Sequence, residues 1–361
     1  MTRLLLEVDG TRYDGFTSIT VSRSIENVAS SFSFEATASS NISFPITTGQ
    51  KARVVIGDIP VVNGYVENIN VNYDSGSHSI TIEGRDKTCD LVDSTLGGKN
   101  DFIAPIGLID VVQNVLNRIG INGIQVKSEA GALSPFKKGE LIAGAVDKNA
   151  FEFIEEYCRK RQVLCTTDGD GNILLTKASQ LNLNTQLISQ AGQNTNSNII
   201  RASVNYNVSQ RYNRYLVRSQ GNPSVDGGVG TDNETIVSQK GEAFDREIRS
   251  GRLLGIIAES SSGGQTAQQR AQWQANINKA RSFTYNVTVQ GFNITPSSSA
   301  VWIPNRLVDV LDEFANINDT LLIKEVAYRF GLDGSFTELT LVNPLSYTLE
   351  QQEKGLQKKI K

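Results

Sequence analysis

The sequence predicts a mainly β protein with an α+β insertion, in which two similar small β-barrel domains flank an α+β domain. Three observations predict it. Short alternating apolar and polar segments, broken by turn residues, fill the first part of the chain. The middle switches to helical spacing. The last part returns to alternation and repeats the order of the first. The expected partition is residues 1–98 for the first β-barrel, 99–180 for the α+β domain and 181–348 for a second β-barrel with an inserted helix and loops. A charged C-terminal tail over 349–361 completes it.

The first region centres on residues 63–94. Tyr65, Glu67, Ile69, Val71 and Tyr73 share one face of a strand, and Ile80 and Ile82 alternate with Ser79, Thr81 and Glu83 in its partner. Period 2 with one apolar face marks a half-buried antiparallel pair. Asp74-Ser75-Gly76-Ser77 makes the turn, since Gly accepts positive φ and Asp and Ser bond nearby backbone. Arg85-Asp86-Lys87-Thr88 then forms a charged corner entering a short helix with Leu91 and Val92. Upstream, strands are expected at 2–9, 16–24, 31–38, 51–57 and 60–72, with Asp9-Gly10 as a hairpin turn. Several short strands with closely spaced turns read as a small barrel or sandwich.

In the middle, Leu108, Val111, Val112, Val115, Leu116 and Ile119 recur at helical spacing, with Pro105 near the first turn and Gly120 as the stop. A short strand is expected near Ile124–Val126. Asp147 is placed to cap a second helix whose apolar stripe is Phe151, Ile154 and Cys158. Arg159, Lys160 and Arg161 suit its last turn. A hairpin follows, Val163–Thr167 and Ile173–Lys177 around Asp168-Gly169-Asp170-Gly171-Asn172. Residues 179–198, rich in Gln, Asn and Ser, read as a connector. Strands are expected at 199–208 and 211–219, a loop at 221–233, and a polar helix at 267–280. The last strands fall at 283–292, 305–311, 321–330 and 336–342.

The repeat lies in this order of elements. Residues 32–39 correspond to 283–290, residues 51–57 to 305–312, and residues 63–84 to 320–343. Two like barrels in one chain suit a ring, because a trimer then presents six quasi-equivalent units.

Bulk properties narrow the function. The chain carries 35 basic and 38 acidic residues, a net charge of −3, which argues against a surface coating duplex nucleic acid. Mean hydropathy is −0.24 and no apolar run reaches bilayer length, so no stable membrane insertion is expected. The N-terminus lacks the apolar core and cleavage site of a signal peptide. Three widely spaced cysteines, Cys89, Cys158 and Cys165, form neither a disulfide framework nor a zinc motif, and reduced thiols are expected. One histidine, His78, leaves little room for histidine chemistry.

Each chemically suggestive cluster has a plainer reading. Asp168–Asn172 resembles the front of a calcium loop, but the twelfth position is Ser179 and the run joins β segments, so a hairpin turn is preferred. Gly227-Gly228-Val229-Gly230 follows no strand-to-helix unit and reads as a loop tip. His78 beside Asp74, Ser75 and Ser77 reads as a turn histidine, not a triad member. Glu152, Glu155 and Glu156 read as a solvated helix face, and Cys158 and Cys165 as buried thiols. Lys354, Lys358, Lys359 and Lys361 form a basic tail, either solvated or touching DNA or an acidic partner. Arg85, Asp86 and Lys87 suit an intrachain brace better than an intersubunit cluster. No catalytic, cofactor-binding or metal-binding residue is assigned.

The stretches VSRSIENVASSFSF (21–34), GRDKTCDLVDS (84–94), IVSQKG (236–241) and AVWIPNRLVDV (300–310), with the order of elements, resemble the central baseplate hub proteins of Mu-like contractile-tailed phages, in the wider late control D and tail hub family. The resemblance covers essentially the whole chain, and its most specific part is the GRDKT run after a hairpin. It implies a non-enzymatic structural protein of the virion tail baseplate, assembled in the bacterial host cytoplasm. It further implies a homotrimeric pseudo-sixfold ring that adapts the sixfold tail tube to the threefold membrane-piercing spike and lets DNA pass at ejection. The implied partners are the spike, the tube or a tube initiator, baseplate wedge proteins and, as a further candidate, the tape-measure protein. A rival reading is a β-barrel module that binds polysaccharide or oligonucleotide, for which Tyr206, Arg211, Tyr212, Arg214 and Tyr215 are the candidate platform. A hydrolase has little support with one histidine and no metal-ligand cluster.

Overall fold

The computed structural model describes residues 3–37, 45–74, 78–98, 102–190, 196–219, 239–258 and 267–347. The turn residues Ser75–Ser77, the Gly227–Gly230 loop and the basic tail lie outside the described residues.

The first β region comprises β1 (Leu4–Val8), β2 (Thr11–Tyr13), β3 (Ser18–Ser24), β4 (Ser31–Thr37), β5 (Lys51–Ile56), β6 (Ile59–Tyr73) and β7 (His78–Asp86). The expected Asp9-Gly10 turn joins β1 to β2, with positive φ at both residues, as a tight primed hairpin turn requires. Strands β4, β7, β6, β5 and β1 then pair antiparallel in that order.

One expectation fails in β6. The strict alternation from Tyr65 to Tyr73 is broken by a β-bulge, where Val66 pairs with Gly84 and Asn68 with Glu83, skipping Glu67. An extra residue reverses the facing of everything beyond it. Tyr65 therefore lies opposite Arg85, while Ile69 lies opposite Ile82 on the other face. The bulge sits where the backbones come closest. A Cβ on Gly84 would lie 2.0 Å from the Tyr65 carbonyl oxygen and 2.4 Å from the Phe32 ring, so only glycine fits.

The middle region holds α1 (Cys89–Asp93), α2 (Leu108–Arg118), β8 (Val126–Ser128), α3 (Ala150–Lys160), β9 (Leu164–Thr167) and β10 (Ile173–Thr176). Leu108, Val111, Val112, Val115 and Leu116 of α2 pack with Phe153, Ile154, Tyr157 and Cys158 of α3 and with Ile173 and Leu175 of the sheet β8–β10–β9. Helix α2 begins after Gly107, so Pro105 lies upstream of its first turn, and Gly120 ends it at φ +78°. Asp147 does not cap α3. Asn149 does, with its Oδ1 accepting from the Glu152 amide at 3.0 Å and its Nδ2 donating to the Val92 carbonyl at 2.6 Å. The buried stripe is Phe153, Ile154, Tyr157 and Cys158; Phe151 is only partly buried.

The connector expected at 179–198 contains a strand, β11 (Asn182–Ser189), followed by β12 (Ile199–Tyr206). Strand β11 pairs parallel with a later strand and buries only Leu187, so its polar composition gave no strand pattern. A second unit, Tyr206–Phe283 with Asn343–Lys361, contains β13 (Arg214–Ser219), β14 (Gln239–Phe244), β15 (Leu253–Ala258) and α4 (Ala267–Arg281). Ala267, Ala271 and Ala275 of α4 cover Tyr215, Val217 and Ala243 of its three-stranded sheet. Strands β14 and β15 were not anticipated.

The chain then adds β16 (Phe283–Gln290), β17 (Leu307–Asp312), β18 (Ile317–Gly331) and β19 (Gly334–Val342). Their order, β16–β19–β18–β17–β11, reproduces β4–β7–β6–β5–β1 strand for strand. The bulges also coincide: Ile323 pairs with Leu341 and Glu325 with Thr340, skipping Lys324 as β6 skips Glu67. The repeats differ at their outer pair, since β1 runs antiparallel to β5 but β11 parallel to β17. They join edge to edge in one sheet, thirteen-stranded among the described residues, because β18 pairs through Glu325–Phe330 with Ser24–Ile19 of β3.

Candidate functional site

The charged corner after β7 is an intrachain brace. The Asp86 carboxylate is fully buried and accepts from the Ser30 amide at 2.9 Å, from the Thr88 amide at 3.1 Å and from the Thr88 hydroxyl. Burial raises its pKa, and the hydrogen bonds from Thr88 and Ser30 offset that only in part. Arg85 grips Glu67 through Nε and Nη2 at 2.6 and 2.7 Å, a bidentate pair, and also bonds Asp93. Lys87 reaches the Gly123 carbonyl at 3.3 Å. The corner thus ties the bulge of β6 to α1 and to the middle domain.

The Asp168–Asn172 loop is spent in the same way. Asp168 accepts from the amides of Asp170 and Asn172 at 2.9 Å each and from Asn172 Nδ2 at 3.1 Å, and pairs with Lys127 at 2.6 Å. Burial pulls its carboxyl up, but Lys127 and Asn172 outweigh burial and hold it below the ordinary range. The glycines let the loop press on β6, since a Cβ at Gly169 would meet the Pro60 carbonyl at 2.2 Å and one at Gly171 the Asn63 carbonyl at 2.3 Å. It is a packing turn. Among the described residues, no group of three or more His, Cys, Asp or Glu could hold a metal ion.

The other candidates are also drawn into scaffold contacts. His78 stacks on Tyr73, ring centroids 6.2 Å apart, across the end of the β6–β7 hairpin. Glu155 pairs with Arg159 at 3.0 Å and Glu156 with Lys148 at 2.7 Å, so the three glutamates do not converge. Cys158 and Cys165 are buried neighbours, and the Cys165 thiol together with burial pushes Cys158 well above the usual thiol range. Sequence reasoning missed Glu140, whose side chain pairs with Arg161 at 2.9 Å with both nearly buried. Burial raises the Glu140 carboxyl, but the bonds from Arg161 and the Lys137 amide prevail and hold it below its ordinary value. The signal was thin, because Glu140 ends a single 3-10 turn (Lys138–Glu140) 21 residues before its partner.

The aromatic and basic platform of the binding-module reading is dismantled. Tyr215 is a core residue. Arg211 is buried on Asp245 at 2.8 Å and Glu247 at 2.5 Å, and Arg214 pairs with Glu242 at 3.0 Å. Tyr206 alone of the group is strongly exposed, resting on Phe283.

What is left open is backbone edge. Beyond its bulge, β6 has β7 alone as a described neighbour, and β12 has β16 alone. Both strands carry exposed apolar side chains, Val71 and Tyr73 on β6 and Ile200 and Tyr206 on β12. Unpaired apolar edges are templates for another strand, and such surfaces serve assembly better than catalysis.

Comparison with known proteins points the same way. Three family models match in chain order: the N-terminal domain of Mu phage baseplate assembly protein GpP-like at residues 3–86, the second domain of baseplate hub protein gp44-like at 88–177, and the fourth domain of Mu phage baseplate assembly protein GpP at 263–350. The class they define is the structural protein of a phage tail baseplate. Baseplate hub protein gp44 of Escherichia phage Mu is 25% identical over 339 residues, which is 93% of this chain and 86% of that protein. The 43 kDa tail protein of prophage MuSo2 from Shewanella oneidensis matches with a TM-score of 0.79 at 26% identity, over 95% of this chain and 98% of that one. A tail protein from Neisseria meningitidis MC58 shares the fold with a TM-score of 0.78 at 17% identity, over 95% and 98% of the two chains. The chain belongs to the Mu-like baseplate hub family, and is a hub component of the virion tail baseplate.

Proposed function

We propose that the chain works as a homotrimeric hub whose six β repeats form a pseudo-sixfold ring. The ring adapts the sixfold tail tube to the threefold membrane-piercing spike and lets DNA pass at ejection. The observation that carries this reading is the internal repeat, with its matched strand order and bulge position. A chain holding two like units offers nearly the same surface six times in a trimer, so one face can meet a sixfold partner. The unlike elements, β13–β15 with α4 and the middle domain, occur once per chain and supply threefold features.

In this reading the hub has no catalytic step. Its partners are the spike on one face and the tube or a tube initiator on the other, with wedge proteins outside and the tape-measure protein as a further candidate. DNA is transient cargo. The lumen wall is hydrophilic and without strong positive charge, in keeping with a net charge of −3, because a basic wall would retain phosphate.

Light scattering coupled to size exclusion tests the reading. A stable species of three 39.4 kDa subunits is expected, and imaging should then reveal a six-lobed ring. A monomer at every concentration, alone and with the spike protein, would overturn it.

A further inference from the structure

The two repeats differ in what covers the far half of their long hairpin, and that difference points to a specific seam between copies. In the second repeat, Glu325–Phe330 of β18 is flanked by β19 on one side and by β3 on the other. The equivalent stretch of the first repeat is Asn68–Tyr73 of β6, as the coincident bulges establish. It has β7 on one side and no described strand on the other. The burial follows position by position: Tyr328 is 0% exposed and its match Val71 56%, and Phe330 is 37% exposed and its match Tyr73 77%.

The strand that should cover β6 is the counterpart of β3, and that counterpart is β12. Strand β3 lies beside β4 as β12 lies beside β16. The Asn207 amide donates to the Ser282 carbonyl, and Tyr206 contacts Phe283. Continued three residues along the antiparallel pair, this sets Val204 across from Tyr285, as Val21 stands across from Phe32. The segment Arg201-Ala202-Ser203-Val204-Asn205-Tyr206-Asn207 thus matches Ser18–Ser24 residue by residue. Among the described residues β12 has β16 alone beside it and ends the sheet, and Ile200 and Tyr206 are 53% and 62% exposed.

We propose that β6 of one copy and β12 of the next pair antiparallel, in the register that β18 and β3 use inside the chain. Transferring that register sets Ile69 opposite Tyr206, Val71 opposite Val204 and Tyr73 opposite Ala202, all on one face. It sets Asn70 opposite Asn205 and Asn72 opposite Ser203 on the other. Apolar meets apolar and polar meets polar at every step, although none of these residues was used to find the alignment of β6 with β18. One step further, Arg201 comes opposite Asp74, a charge match. A register slipped by one residue would lose all of this. The main-chain ladder supplies affinity, as in other strand additions, and the side-chain pairs supply register. The contact is head-to-tail, with different strands on its two sides, so it generates a ring or an open chain and not a twofold dimer.

This inference rests on the ring reading for its closure at three copies but not for the seam itself, and cysteine cross-linking of the full chain separates the two. Paired residues in such a ladder have Cα atoms within disulfide reach. Val71→Cys combined with Val204→Cys, oxidised with copper phenanthroline, should give covalent multimers ending at a trimer on a non-reducing gel. Each single variant, and the offset pair Val71→Cys with Ser203→Cys, should not. A trimer by light scattering with no cross-link would overturn the seam and leave the ring to another surface. A cross-linked ladder running past three copies would uphold the seam and overturn the closed ring. Neither a trimer nor a cross-link at high concentration would overturn both. As a second measurement, Val71→Asp should weaken self-association by about tenfold or more, since it buries an unpaired charge in the seam. Adding Val204→Lys should restore part of it. An unchanged association constant in Val71→Asp would overturn the proposal.

Discussion

The β6–β7 and β18–β19 hairpins are the same device in two settings. Each is a long pair with a bulge at the same step, yet one is sheathed by a third strand and the other ends in exposed Val71 and Tyr73. They also differ at the crossing point. Gly64 and Gly84 of the first hairpin correspond to Leu321 and Leu341 of the second, so the first closes backbone to backbone where the second buries two leucine side chains. Equivalent topology therefore does not require equivalent packing. The shared feature is the bulge, which re-aims the strand, and each repeat fills the space around it differently.

Substitutions can sharpen or break this comparison. The largest effect is expected from giving the first hairpin the second one's residue. Gly84→Leu meets the Tyr65 carbonyl and the Phe32 ring and should cost more than about 4 kcal/mol, abolishing folding of the first repeat. Normal soluble expression and an unchanged melting curve would contradict the close approach.

Next come the paired hairpin positions. Tyr328→Ala empties a fully buried site and should cost about 3–5 kcal/mol in chemical denaturation. Its equivalent, Val71→Ala, should stay within about 0.5 kcal/mol for the monomer, because that residue is 56% exposed at a strand edge. Similar costs at both sites would mean that the first hairpin is sheathed within the chain.

The middle domain, which lies outside the repeat, should carry a distinct acid response. Removing the guanidinium in Arg161→Met strands the nearly buried Glu140 and should cost about 3–5 kcal/mol at neutral pH. The sign in pH follows from the lowered Glu140 pKa. The pair's contribution is fully present above the ordinary glutamate value of 4.5 and is lost as pH falls through the lower folded value. Stability of the parent should therefore drop across that acid window, and Arg161→Met should flatten the drop. Identical slopes for the two proteins would show that the pair contributes nothing.

The smallest effect is expected at the exposed cross-strand pair Arg329–Glu338 of the second hairpin, 2.7 Å apart with both side chains about half exposed. Arg329→Ala should change stability by at most about 1 kcal/mol, and less at high salt. A larger loss would mark this pair as part of a buried contact in the assembled hub.

Legibility in the sequence followed the range of the forces involved. The Asp9-Gly10 turn, the two amphipathic helices, the polar helix near 267–280 and the long hairpins were readable, because period and turn chemistry act within a few residues. Asn149 outcompeted Asp147 as a cap because its amide also satisfies the Val92 carbonyl, a contact made 57 residues away. Strand β11 was invisible because its partner β17 supplies the ladder from more than a hundred residues on, while its own side chains stay polar. The GRDKT corner was legible as a brace, yet the burial of Asp86 depends on Ser30 and could not be read from the run itself. The candidate platform of the rival reading near Tyr206 failed because Asp245 and Glu247 arrive from another strand's end to neutralise Arg211.

By itself, then, the amino-acid sequence determined the local elements, the duplicated order of strands and the resemblance to baseplate hubs, since these rest on alternation, turns and short motifs. Tertiary structure alone decided where the bulges fall, which glycines sit at a close backbone approach, and that β3 sheathes β18 while no described strand flanks the far half of β6 or the outer side of β12. Those outcomes depend on which distant segment arrives to pair with a strand, and alternation within one strand does not by itself name that segment.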